Sequence, residues 1–129
     1  MPQSHDTLIM AAVAYDPKVV AIWEGFKAWF ARRGFAFDYV LYSNYDRQVE
    51  SLMAGEVHVA WNSPLAWVRA ERMARATGQR VEAIAMRDTD QDLSSFVVVR
   101  ADSGIETIED LRGKTLAVGA ADSPQAYML

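Results

Sequence analysis

The sequence predicts an α/β fold, a mostly parallel sheet with helices on both faces, and three observations carry that prediction. Short apolar stretches alternate with segments whose bulky residues recur at spacings of three and four, as strands joined by helices do. Three helical segments open where a capping residue precedes proline, at Asp16-Pro17, Ser63-Pro64 and Ser123-Pro124. Proline suits a first helical position because its missing N–H would have no intrahelical partner there. Three helical segments close at Gly34, Gly55 and Gly78, where a left-handed residue costs least.

Taken in order, residues 8–14 form a short apolar run and read as a buried strand. Asp16-Pro17 opens a helix that carries Val19, Ile22, Trp23, Phe26, Trp29 and Phe30 on one face and ends at Gly34. Residues 35–42, rich in aromatics, make the second strand. Ser43 or Asn44 caps a helix bearing Tyr45, Val49, Leu52 and Met53, which stops at Gly55. Residues 57–61 form the third strand, and Ser63-Pro64 opens a helix that runs to Gly78. A fourth strand is expected at 81–86, an acidic loop at 87–92 and a fifth strand at 96–100. A short helix at 108–111, a turn at 112–114, a strand at 115–118 and the helix start at Ser123 complete the pattern.

Bulk properties narrow the function classes. With 129 residues the chain holds one good core but not two domains of ordinary size. The net charge of −4 is spread along the chain with no basic block, which argues against nucleic acid or an anionic membrane as partner. The absence of cysteine excludes a disulfide scaffold, a thiolate nucleophile and a Cys-based zinc site. The first residues lack the basic start and sustained apolar core of a secretory leader, which leaves a cytoplasmic location open.

In an open parallel sheet, ligands bind beyond the carboxyl ends of the strands, where helix N-termini point. Three junctions qualify: Tyr15-Asp16, Ser43-Asn44-Tyr45 and Asn62-Ser63. Each offers backbone N–H groups at the positive end of a helix, which favours an anion or a polarised oxygen. Ser43, Asn44, Asn62 and Ser63 add short polar side chains, and Tyr15, Tyr45 and Trp61 add flat walls, a combination suited to a small polar ligand. The plain structural alternative is that the Ser and Asn residues are caps and that Tyr45 belongs to the core. Asp16 reads as a cap, and Trp67 as packing or helix surface.

Other signals fail. The stretch Asp88-Thr89-Asp90-Gln91-Asp92 resembles the start of a calcium loop, but Leu93 stands where glycine is needed and Val99 where a bidentate glutamate is needed. His5 and His58 are isolated, and His58 reads as a satisfied polar or edge residue rather than a ligand. No nucleotide-binding glycine loop or nucleophile elbow occurs. No metal, cofactor or catalytic residue is therefore expected.

The order A-Y-D-P, Y-S-N-Y-D-R-Q-V-E-S-L-M-A-G-E-V-H-V-A-W-N-S-P-L-A-W and then V-V-V-R-A-D-S-G-I-E-T-I-E-D-L-R-G-K-T-L-A-V-G-A-A-D-S-P-Q resembles the phosphate/phosphonate-type substrate-binding proteins of ABC transporters. These are similar to the type II periplasmic binding proteins. The resemblance implies a bilobed protein that closes by a hinge on a small polar or anionic ligand and delivers it to an ABC permease, in the periplasm or on an extracytoplasmic anchor. It implies lobe one at 1–94, a crossover hinge strand at 95–102 and the start of lobe two at 103–129. The anionic group would meet the helix start at Asp122, Ser123 and Gln125, with Tyr15, Tyr45, Asn62 and Ser63 completing the site from lobe one. Family members are about twice this length, so the chain reads as an N-terminal fragment with half a site and weak affinity. Its uncovered apolar surface would favour a non-native dimer. Asp88, Asp90 and Asp92 lie where the family often has an aromatic, which points to a ligand that also bears a cation such as an amine, or to one that is no phosphonate. A ligand-sensing domain of a regulator is the alternative function, and an enzyme on the same scaffold ranks below it.

Overall fold

The computed structural model describes residues 7–92, 94 and 96–119. The chain divides into two compact units, Met1–Ala83 and Ile84–Leu129.

The first unit holds three strands and three helices in strict alternation: β1 (Leu8–Val13), α1 (Lys18–Ala31), β2 (Phe37–Tyr42), α2 (Tyr45–Met53), β3 (Val59–Ala60) and α3 (Pro64–Thr77). The strands are parallel and ordered β2-β1-β3. Leu8 lies opposite Phe37 and Val13 opposite Tyr42, while Met10 and Ala11 face Val59 and Ala60. On either side of β3 the ladder continues, with His58 N–H donating to Ile9 C=O at 2.9 Å and Trp61 N–H to Ala11 C=O at 2.8 Å.

Alternation along β1 and β2 divides the core into two layers. Leu8, Met10, Ala12, Phe37, Tyr39 and Leu41 pack with Val19, Trp23 and Phe30 of α1. A second cluster joins Val49 of α2 to Ala66 and Ala70 of α3, flanked by Tyr45, Leu52 and Met53. Ala66, Ala70 and Ala74 are all buried, and their small side chains let α3 lie close against α2. The chain steps one way across the sheet from β1 to β2 and the other way from β2 to β3. Right-handed crossovers then put α1 and α2 on opposite faces, in keeping with the two clusters.

The caps explain where the helices start and stop. The Asp16 carboxylate accepts from the Lys18 N–H at 2.7 Å, the Asn44 side chain from the Arg47 N–H, and the Ser63 hydroxyl from the Ala66 N–H. Pro64 sits in the first turn of α3, and Gly78 ends it at φ +70°. His58 Nδ1 accepts from the Ile9 N–H, so it is the satisfied edge residue expected.

Four expectations need correction. The segments 81–86, 96–100 and 115–118 are not strands, because a strand exists only where a neighbour supplies the other half of a ladder. Among the described residues no such neighbour is present, and Ile84, Phe96 and Val98 are more than three-quarters exposed. The third strand is shorter than expected, β3 holding only Val59–Ala60. The helix expected at 108–111 is a single 3₁₀ turn, Glu109–Leu111. Finally, the apolar face of α1 is two stripes: Val19, Trp23 and Phe30 meet the sheet, whereas Ile22, Phe26 and Trp29 are 43–49% exposed. A sheet face covers one stripe of a helix, and at 3.6 residues per turn these two lie side by side.

In the second unit, the Asp110 carboxylate accepts from the N–H groups of Glu106 and Thr107 and from the Thr107 hydroxyl, at 2.9–3.0 Å. Those bonds hold its carboxyl below the usual carboxylate range, the Glu106 N–H being the largest cause. Val97, Val99, Ile105, Ile108 and Leu111 line a small hollow of about 160 Å³ within this unit. The helix start carrying Asp122, Ser123 and Gln125 lies outside the described residues.

Candidate functional site

β1 and β3 are neighbours, yet the chain leaves them toward opposite faces: β1 leads to α1, and β3 leads to α3, which packs on α2. Adjacent parallel strands whose connections diverge in this way leave a crevice beyond their carboxyl ends. Here the switch point falls between Ala14-Tyr15-Asp16 and Trp61-Asn62-Ser63, with Ser43 and Asn44 at the end of β2 beside β1. The topology therefore gathers the three lobe-one junctions at one edge of one sheet. A backbone bond from Ala14 N–H to Tyr42 C=O, at 2.9 Å, ties the first two junctions together.

Consecutive residues at the end of β3 are held from opposite sides. The Trp61 ring meets Trp23 of α1 edge-on, 6.2 Å between centroids, and remains 38% exposed. Asn62 is held instead by α2. The Gln48 Nε2 donates to Asn62 Oδ1 at 2.7 Å and to the Trp61 carbonyl at 3.0 Å. Gln48 is fully buried, and its Oε1 has no hydrogen-bond partner among the described residues. An orphaned buried acceptor costs about 1–3 kcal/mol, so a fold shaped by packing alone would favour an apolar residue here.

The other polar residues of the edge are already engaged in local structure. Asn44 Oδ1 accepts from the Arg47 N–H at 2.9 Å, and its Nδ2 donates to the Ser43 hydroxyl at 3.3 Å. The buried Ser63 hydroxyl accepts from the Ala66 N–H at 3.2 Å. Both residues are thus caps, each with its oxygen turned to a helix N–H. Tyr15 is 75% exposed at the end of β1. Tyr45 packs partly buried against the α2–α3 cluster, so its ring serves that core at the start of α2. Trp67 is half-buried, as a packing residue would be. An ion pair between Asp46 and Arg69 links the first turn of α2 to the second turn of α3.

Gln48 is the residue holding this edge that the sequence alone does not point to. The signal was available, since Gln48 lies three residues after Tyr45 and four before Leu52, at the border of an apolar stripe. A glutamine there reads as surface until its partners across the fold are known.

Two further features bear on the site. An apolar hollow of about 490 Å³, lined by Ile22, Gly25, Phe26, Trp29 and Phe30, opens on the outer side of α1 and has little polar surface. It lacks the convergent polar groups of a site for an anion. The loop 87–92 carries less unpaired charge than its sequence implies. Arg87 makes two hydrogen bonds to Asp90 at 2.7 Å, which hold the Asp90 carboxyl below its usual range, and Asp88 accepts from the Thr89 N–H. Among the described residues there is no group of three or more His, Cys, Asp or Glu that could hold a metal ion, and no helix long and apolar enough to cross a membrane.

Comparison with known proteins yields one family. The family model described as ABC transporter, phosphonate, periplasmic substrate-binding protein matches residues 9–129. No curated protein and no solved structure matches the chain.

Proposed function

Because the chain belongs to the family of phosphonate-binding periplasmic substrate-binding proteins of ABC transporters, we propose that it binds a small phosphonate-like oxyanion at the carboxyl edge of its sheet and passes it to an ABC permease. That family is one of transport proteins and not of enzymes. The observation that carries the reading is the strand order β2-β1-β3, with Trp61 at the end of β3 held toward α1 and Asn62 held toward α2. Helix N-termini at this edge favour an anion, and Tyr15 and Trp61 supply exposed apolar walls.

In this reading residues 1–94 contribute one side of an interlobe cleft, 95–102 form the crossover, and 103–129 open the second lobe. Asp122, Ser123 and Gln125 receive the anionic group from that second side. Asp88 and Asp92 favour a ligand that also carries an amine, since Asp90 is already paired with Arg87. The exposed Ile22, Phe26 and Trp29 stripe supports self-association of the chain, which light scattering tests against a monodisperse monomer.

The test is a two-dimensional NMR titration of the chain with methylphosphonate, 2-aminoethylphosphonate and sulfate. A ligand present at its own Kd stabilises a protein by only about 0.4 kcal/mol, so weak binding escapes thermal shift but not chemical shift. Saturable shifts at residues 14–16, 43–45 and 61–63 with the phosphonates are expected. Their absence at those residues, or equal shifts over the whole surface, would refute the assignment.

A further inference from the structure

The buried carboxamide of Gln48 decides which atoms of the carboxyl edge face a ligand. The Trp61 carbonyl can only accept, so the Gln48 atom 3.0 Å from it must be the amide nitrogen. The same nitrogen lies 2.7 Å from Asn62, whose contacting atom must then be the oxygen. The orientation of Asn62 is thus fixed by a carbonyl two links away. Turning Gln48 over would set its Oε1 against two acceptors, and at 0% exposure no water is at hand to relieve the conflict. The arrangement leaves Oε1 orphaned in order to make both donations.

The half-buried Asn62 keeps its Nδ2 group without a hydrogen-bond partner among the described residues. The same polarity recurs along the edge. Ser63 accepts from Ala66 N–H, Ser43 accepts from Asn44, and Asn44 Oδ1 accepts from Arg47 N–H. Each of these bonds turns a side-chain oxygen toward its own backbone or neighbour, which leaves the Asn62 amide hydrogens and the hydroxyl hydrogens of Ser43 and Ser63 to donate outward. The Asp16 carboxylate, engaged through one oxygen by the Lys18 N–H, is the acceptor at this edge.

We infer that Gln48 is a positioning residue that turns the Asn62 Nδ2 group outward as a fixed donor, so that this end of the edge favours an oxyanion group over an amine. The inference rests on the carboxyl edge being the ligand site. A ligand that bears both groups places its oxyanion here and its amine elsewhere.

Asn62→Asp tests the polarity, because it keeps an oxygen for Gln48 and replaces the outward donor with an acceptor. Affinity for methylphosphonate, read by NMR titration of the chain, is expected to fall at least about tenfold. Gln48→Met tests the positioning without touching the crevice: the preference for methylphosphonate over methylammonium is expected to shrink by roughly tenfold. Wild-type affinity in Asn62→Asp, or an unchanged preference in Gln48→Met, overturns the proposal. Hydrogen exchange in the ligand-free wild type separates this claim from the functional reading. Slow exchange of the Gln48 side-chain amide with fast exchange at Asn62 Nδ2 supports the orientation, and the reverse overturns it. If that orientation is observed and methylphosphonate still leaves residues 61–63 unmoved, the ligand reading is what fails.

Discussion

At position 48 a carboxamide fills a buried place that methionine would fill with similar volume. Replacing it leaves the Trp61 carbonyl and Asn62 Oδ1 without their donor, while also removing the orphaned Oε1. We expect Gln48→Met to lower stability by about 1–3 kcal/mol, read as a lower urea midpoint at unchanged slope. An equal or higher midpoint would show that the two acceptors find water unaided. The caps are simpler: Asn44→Ala and Ser63→Ala should each cost about 1 kcal/mol. Gly25, inside α1, offers the opposite case. A Cβ there meets nothing within 4 Å, so Gly25→Ala should raise stability by up to about 1 kcal/mol, and a loss would show an unrecognised contact. The caps and the glycine stops were legible in the sequence because they act within one turn of chain. Gln48 was not, because its role depends on a carbonyl thirteen residues away.

Among the elements, α1 shows how far periodicity carries. Spacings of three and four located the helix, but they merged two stripes of which the sheet covers one. Trp23→Ala should therefore cost about 3–5 kcal/mol, whereas Phe26→Ser, which gives up a half-exposed ring 5.2 Å from that of Trp23, should cost no more than about 1.5 kcal/mol. Comparable losses at both positions in urea denaturation would mean that both stripes are packed. α1 is also tied to β2 by the Lys27–Asp38 pair, 2.9 Å apart. The bond from Lys27, with that from the Tyr39 N–H, holds the Asp38 carboxyl below its ordinary 3.8, and the bond to Asp38 raises Lys27 above its ordinary 10.5. The contribution of Asp38 is present above 3.8 and is lost as pH falls through its lowered value in the folded protein. That of Lys27 is present below 10.5 and is lost as pH rises through its raised value. Lys27→Met should flatten both flanks of the stability–pH profile, and an unchanged profile would show that solvent screens the pair completely. The segments 81–86, 96–100 and 115–118 illustrate the converse limit. Their composition is that of strands, but a strand needs a neighbour, and composition does not say where the neighbour is.

Across the molecule, the proposed function rests on the order of three strands. Alternation of apolar runs and capped helices was enough to predict a parallel α/β sheet and to place the three junctions at strand ends. It could not say which two strands are neighbours, and hence where the crevice lies, because strand order is set by contacts distant in sequence. The order β2-β1-β3 supplies that missing fact, putting Tyr15 and Asn62 on either side of one switch point. The same order explains why Trp61 and Asn62, adjacent in sequence, are held by different helices. A crystal structure of the protein with methylphosphonate tests the central claim most directly. The account predicts phosphonate oxygens beyond the carboxyl ends of β1 and β3, within hydrogen-bond distance of Asn62 Nδ2. Phosphonate bound elsewhere, or met at this edge by Asn62 Oδ1 turned outward, would contradict it.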